Sequence, residues 1–334
     1  MSKNQTACVE IASVHSFTDE NNEKNEKKHQ HYLDQATPSN TRRAYRTAIL
    51  QFEASAGLLP ADEATIARYI TEKASLLNPR TLSLHLTALS NWHRYYELPD
   101  PTQTLHIRKL LNGIQREHGR PKRKAKALRT EHLNTIISQL NNNENKLKTA
   151  RDCALIQVAY FGAFRRSELI AIHVEHLKFE PEGLLILIPK SKTDQTGRGK
   201  IKALPLGQAE HPLCPVRAVK NWLMLSGITS GVLFRAINRW GHLQGKALNP
   251  DSINFILKSL GKQCRFDFIN ELSSHSLRRG FATSAARAGA AFESIKRQGG
   301  WKNDSTVREY IEEGQLFDEN AAQQLLDFYL KQKE

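Results

Sequence analysis

Between Ser39 and Ile114 the apolar residues recur three and four apart in four separate stripes, a spacing that only helices can turn to one side. Tyr45, Ala48, Ile49 and Phe52 form the first stripe, Ile66, Tyr69 and Ile70 the second. Leu82, Leu86, Leu89 and Trp92 form the third, and Leu110, Leu111 and Ile114 the fourth. Gly57 to Pro60, Asn78-Pro79 and Pro99 to Pro101 separate them, and each break would stop a helix. Residues 36–115 are therefore expected to form a small helical domain.

Around it the chain changes character. Residues 1–35 are rich in Asn, Glu, Lys, Gln and His with almost no apolar periodicity, the composition of a disordered polar tail. The stretch "REHGRPKRKAKALR" sets Arg116, Arg120, Lys122, Arg123, Lys124, Lys126 and Arg129 against one acid, Glu117. It reads as a basic interdomain linker, 116–128, lying on phosphate; a targeting signal or a merely solvated linker is the alternative. From residue 129 to 334 helical runs return, the first with a plausible cap at Thr130, and "ARDCALIQVAYFGAFRRSELIAI" supplies two helices interrupted near Gly162. "GLLILIP" and "IKALPL" are short, apolar and bounded by turn residues, the pattern of two strands joined by a polar hairpin loop. The expected fold class is mainly α with a small antiparallel sheet, in two domains.

Charge narrows the partner. The chain of 334 residues has a formal net charge of +14, and the tail has more acids than lysines, so the basic excess belongs to the folded remainder. A polyanion, nucleic acid first, is the implied partner. Arg42, Arg43, Arg46 and Arg80 in the helical domain, with Lys122, Arg123 and Lys124 in the linker, are the candidate DNA contacts. His85, Arg94, Arg108 and Lys109 belong to the same basic scatter, for which a solvated face is the blander reading. No apolar run is long enough for a membrane span and no signal pattern opens the chain, so an intracellular, cytoplasmic protein is expected. Cys8, Cys153, Cys214 and Cys264 lack metal-ligand or disulfide spacing.

Chemistry concentrates in the second half. In "SSHSLRRG", His275 and Arg278 are three apart on one helical face that Ser273-Ser274 can cap, a pairing suited to phosphate. In "FRRSEL", Arg165 and Glu168 are also three apart: either a surface ion pair of small worth or a guanidinium oriented by its carboxylate. Lys192 belongs to the hairpin loop "KSKTDQTGRGK". Tyr310 sits in "RQGGWKNDSTVREYIEEG", a charged segment behind a glycine pair and Trp301, which suits a presented side chain better than a packed one.

Taken in order, Arg165, Lys192, His275, Arg278, Trp301 and Tyr310 resemble the active site of the tyrosine recombinases, the family of phage integrases and chromosome-dimer resolvases, and most closely its Cre-like members. The family's Leu-Arg-x-Ser-Glu-Leu context corresponds to Phe164 to Leu169 and selects Arg165 over Arg166. Phe164 for leucine and Trp301 for the commoner histidine are the departures. The resemblance covers about 36 to 334 and implies a two-domain DNA clamp, a helical core-binding domain followed by a catalytic domain. It implies site-specific strand cleavage and rejoining on double-stranded DNA, through a covalent 3′-phosphotyrosine on Tyr310. Arg165, Arg278 and Trp301 would hold the phosphate, His275 would take the phenolic proton, Lys192 would protonate the leaving oxygen and Glu168 would orient the site. No cofactor, ATP or metal is implied, and a homotetramer on two DNA sites is, with a docking helix near the carboxyl end. A catalytically silent DNA-binding relative, a type IB topoisomerase and a metal-dependent transposase are the alternatives.

Overall fold

The computed structural model describes residues 25, 27–29, 31–33, 36–121, 124–189, 199–208, 211–315 and 320–331. The chain divides into two compact units, 1–122 and 123–334. Of the polar amino-terminal segment, the described positions at 25, 27–29 and 31–33 are helical and exposed.

Between 39 and 118 the first unit consists of α1 (Ser39–Ala56), α2 (Glu63–Lys73), α3 (Pro79–Tyr95) and α4 (Leu105–His118), with a single 3-10 turn at Pro101–Gln103. Local chemistry sets the starts. Asp62 accepts from the Thr65 N–H, Asn78 accepts from Arg80 with Pro79 at the first helical position, and Thr104 accepts from Ile107; such caps contribute about 1 kcal/mol each. The stripes meet in a core of Phe52, Ile66, Tyr69, Ile70, Leu82, Leu86, Leu89, Ile107 and Ile114. Trp92, from the third stripe, is only half-buried.

His85 departs from the expected basic scatter. It is 4% exposed, and the Tyr69 hydroxyl lies 2.7 Å from its Nδ1. Burial lowers the imidazole's pKa and raises the phenol's, and each ring supplies the other's hydrogen-bond partner. This histidine is a satisfied core residue.

The expected linker is shorter than its composition suggests. Arg116 lies in the last turn of α4, while Ala125 to Leu128 pack into the second unit. Leu128 is fully buried, its N–H donates to the Ser276 carbonyl and the Ala125 carbonyl accepts from Arg279. The cause is a close approach: a Cβ on Gly280 would overlap the Leu128 backbone.

The second unit is built around α6 (Lys146–Phe161), whose residues from Ala150 to Tyr160 are all buried. Such a helix is buried on every side and shows no single apolar face. Around it lie α5 (Thr130–Asn141), α7 (Arg166–Ile170), α8 (Pro215–Ser226), α9 (Pro250–Gln263) and α10 (Ser274–Arg287). Thr130 is the first residue of α5 and Arg129 its cap; the Thr130 hydroxyl instead meets Tyr160 Oη at 2.9 Å. The hairpin strands β2 (Gly183–Ile188) and β3 (Lys200–Pro205) pair antiparallel with Leu184 opposite Leu204, and β1 (Leu177–Glu180) adds a third strand on the outer edge of β2. A second small sheet, β4 (Arg235–Ile237) with β5 (Leu243–Ala247), was not expected. The chain closes with α11 (Phe292–Gly299), α12 (Asp304–Gly314) and α13 (Ala321–Lys331). No described helix is long and apolar enough to cross a membrane. Cys153 and Cys214 are buried, Cys264 half-buried, and Cys8 lies outside the described residues. Burial, with the Asp152 charge beside it, pushes the Cys153 thiol up to about 12.

Candidate active site

Four separate segments converge on one cleft of about 360 Å³, lined by Arg165, His275, Arg278, Trp301, Lys302, Asn303, Thr306 and Tyr310. Arg165 comes from the turn between α6 and α7, His275 and Arg278 from the first turns of α10, Trp301 from the loop after α11 and Tyr310 from α12.

Arg165 is the cap residue of α7, and Glu168 reaches back to it twice, accepting from its backbone N–H at 3.0 Å and from Nη1 at 2.7 Å. Burial pushes the Glu168 carboxyl up, but the Arg165 N–H and guanidinium outweigh it and hold the group below its usual range. The carboxylate thus aims the guanidinium. The neighbouring Arg166 turns away to Asp251 at 2.5 Å. Of the two arginines, Arg165 is the one that lines the cleft.

Arg278 is 3% exposed. Its guanidinium lies 4.2 Å from the Trp301 ring centre and donates through Nη1 to the Ala163 carbonyl. Burial, then the Arg165 charge, lowers its pKa to about 10, which leaves it charged at neutral pH. His275 is exposed at the mouth, one turn before Arg278 on the same face, and the Ser273 hydroxyl accepts from its backbone N–H at 3.2 Å.

Two glycines make room for the indole, for different reasons. Gly300 takes a left-handed φ of 64° to end α11, and a Cβ on Gly299 would overlap the Trp301 ring. Gly299→Ala is expected to lower the thermal midpoint of unfolding and slow DNA cleavage together, because a buried ring must move; overpacking of this kind costs about 1–3 kcal/mol. A melt and a cleavage time course check it.

Tyr310 is more packed than its charged segment suggests. Its ring meets Trp301 edge-on at 5.9 Å, lies under Arg279 at 5.2 Å, and is half-buried against Val307 and Ile295. The helix α12 is tied to its own domain: the Tyr310 carbonyl accepts from Thr283 at 3.0 Å, Glu313 pairs with Arg279, and Glu309 pairs with Lys124 at 2.6 Å. Charged residues around the tyrosine thus act as tethers, which leaves one edge of the ring at the cleft.

Lys192 lies outside the described residues, as do Lys122 and Arg123. Arg42, Arg43 and Arg46 share one face of α1; Arg43 and Arg46 are exposed and Arg42 half-buried. Asn40 holds Arg43 at 2.8 Å, and the exposed Arg80 reaches the Arg120 carbonyl at 3.4 Å. Among the described residues no cluster of metal ligands occurs.

One residue escaped the sequence reading. Lys202, in β3, is 7% exposed and donates to the Gly162 and Ala163 carbonyls beside Arg278. Burial first, then the Arg278 charge, brings its pKa down to about 7, with Glu168 working in the other direction. Alternation carried the signal: Leu204 is a core residue, and Lys202, two positions away, must face the same side.

The model of the phage integrase family matches residues 126–315. An integrase/recombinase xerD homolog of Selenomonas ruminantium is 36% identical over 311 residues, 90% of each chain. The chain belongs to the phage integrase family. The recombinase Cre of Escherichia phage P1 is 26% identical over 269 residues, 75% of this chain and 76% of that one. Among solved structures, the XerH site-specific recombinase in a post-cleavage complex with palindromic difH substrate superposes with a TM-score of 0.60 at 20% identity, over 87% of this chain and 80% of that one. That likeness is one of fold. As a family member the chain is a site-specific DNA recombinase of the tyrosine class.

Proposed function

We propose that Tyr310 is the nucleophile of this recombinase. Its Oη attacks a scissile phosphodiester, an Oη–P bond forms as the bond from phosphorus to the 5′ oxygen breaks, and a 3′-phosphotyrosyl link results. A free phenol is only about 0.1% ionised at neutral pH, so proton removal must accompany attack. His275 takes that proton, and the leaving 5′ oxygen gains one from Lys192, whose role rests on its motif. Arg165 and Arg278 hold the nonbridging oxygens as charge develops, with Trp301 backing Arg278 and Glu168 aiming Arg165. A 5′ hydroxyl from a partner strand reverses the sequence and seals the joint without an external energy source, because the phosphotyrosine keeps the bond energy.

The observation that carries this reading is the convergence of Arg165, His275, Arg278, Trp301 and Tyr310 on one cleft, from segments 165 to 310 of the chain. Purified protein, incubated with EDTA and nicked duplexes from inverted repeats near its own gene, should give an SDS-resistant complex with the nucleotide on Tyr310 by mass spectrometry. Specific binding with no covalent species would move the silent DNA-binding reading ahead. Relaxation of supercoils at arbitrary sequences would favour a topoisomerase.

The assembly is a homotetramer on two duplex sites, with Arg42, Arg43, Arg46, Arg80, Lys122, Arg123 and Lys124 on DNA backbone. The compartment is the one that holds the DNA, the cytoplasm and its nucleoid if the host is bacterial. Helix α13 supports assembly: Leu325, Leu326, Phe328, Tyr329 and Leu330 are 56–65% exposed, an apolar surface that a neighbouring protomer would cover. Deleting residues 320–334 is expected to weaken cooperative binding to paired sites while single-site binding persists. Gel-shift titrations check it, and undiminished cooperativity would count against the docking role.

A further inference from the structure

Lys202 is a buried cation that the proposed chemistry does not use. It shares the inward face of β3 with the fully buried Leu204, and its ammonium lies 4.6 Å from the Phe164 ring centre. Its donors go to two backbone carbonyls, Gly162 and Ala163, and the second also accepts from Arg278 Nη1. A carbonyl oxygen has two lone pairs, and here each faces a cation.

The shared residue is an unusual one. Ala163 has φ 43°, a left-handed conformation that costs an L-residue about 1–2 kcal/mol and persists only when its surroundings impose it. Two positions later the chain delivers Arg165. The turn between α6 and α7 thus sets where one catalytic arginine starts, and its carbonyl fixes the end of the other. Taking an ammonium out of water is costly, and an apolar side chain would fill this space at less expense. The charged groups around Lys202 are Arg278 on α10, Arg165 and Glu168 at the start of α7, and Lys200 on its own strand. Cations outnumber acids among them, a balance that favours an incoming phosphate.

We propose that Lys202 is a positioning residue for strand cleavage: its ammonium pins the Gly162–Ala163 turn, so that Arg165 and Arg278 converge on one phosphate. This rests on the reading of the cleft given above. A positioning role acts through the arginines, and the arginines act on the nonbridging charge. A scissile methylphosphonate, which replaces one nonbridging oxygen by methyl and removes that charge, should therefore need Lys202 less.

The test uses the full-length protein in single-turnover cleavage of nicked duplexes, one with a phosphodiester and one with a methylphosphonate at the scissile position. Lys202→Met should cleave the phosphodiester about 10²-fold more slowly, the cost of a small misplacement of reacting groups. DNA affinity should not change, and most of the gap should close on the methylphosphonate. Equal slowing on both substrates means that Lys202 only supports the fold and overturns the proposal, as does no slowing on either. If Lys202→Met melts at assay temperature, Lys202→Gln, which keeps a donor for the carbonyls without the charge, enters the same comparison, where the same outcomes support or overturn the proposal. Wild-type protein that forms no adduct at Tyr310 in the parallel lane overturns the reading of the cleft and this inference with it, whereas an active wild type makes the comparison a test of Lys202 alone.

Discussion

Tyr310→Phe is expected to bind DNA as tightly as the wild type and to form no covalent complex. The substitution removes one oxygen and leaves the packing in place: the edge-on contact with Trp301, the Arg279 guanidinium over the ring and the Thr283 bond to the backbone carbonyl need no hydroxyl. The change in stability should therefore stay within about 1 kcal/mol, the net worth of a single hydrogen bond. Reactivity should vanish, because phenylalanine has no atom to join to phosphorus. An SDS gel of wild type and variant on the same nicked duplex, beside a native gel of the same mixtures, separates the effects. A covalent band that survives in the variant would place the nucleophile elsewhere.

Arg278→Ala should cleave about 10²–10³-fold more slowly in single turnover, the usual cost of one donor that stabilises developing charge. Its setting makes the loss hard to repair. The guanidinium is 3% exposed, stacked at 4.2 Å on Trp301, and bonded to the Ala163 carbonyl; removal leaves that carbonyl to Lys202 and the indole without its cation. Arg278→Lys should recover little, since an ammonium restores the charge but not the planar fork that meets two oxygens and stacks on a ring. Quench-flow rates with DNA affinity measured in parallel check both variants. A slowing of less than about tenfold would mean that Arg278 contributes no more than an ordinary surface contact.

Much of this site was legible in the chain because its parts are local. His275 and Arg278 share a face because they are three apart on a capped helix, and Glu168 reaches Arg165 for the same reason. The four stripes of the first unit became four helices, since proline, asparagine and glycine mark their ends. What escaped was short or inverted. β1, β4 and β5 have three to five residues and little apolar alternation, and their pairing supplies what their composition does not. His85 read as solvated because it is polar and Lys202 drew no notice at all, yet Tyr69 and the Gly162–Ala163 carbonyls satisfy them inside. Ala125 to Leu128 read as linker because lysine surrounds them, while Gly280 gives Leu128 a place to pack.

By itself the sequence determined the helical class of the first unit, the basic balance, and which residue types stand at motif spacing. Those properties depend on neighbours within a turn or two, or on composition alone. Only the tertiary structure decided that Arg165, Arg278, Trp301 and Tyr310 face one cleft, that the tyrosine helix is tethered within its own domain, and that a buried lysine stands behind the arginines. Such contacts join residues up to 145 positions apart, and their geometry follows from how the helices pack around α6. Spacing along a chain states which side chains could cooperate. Close packing in the interior fixes which of them meet, and at what angle.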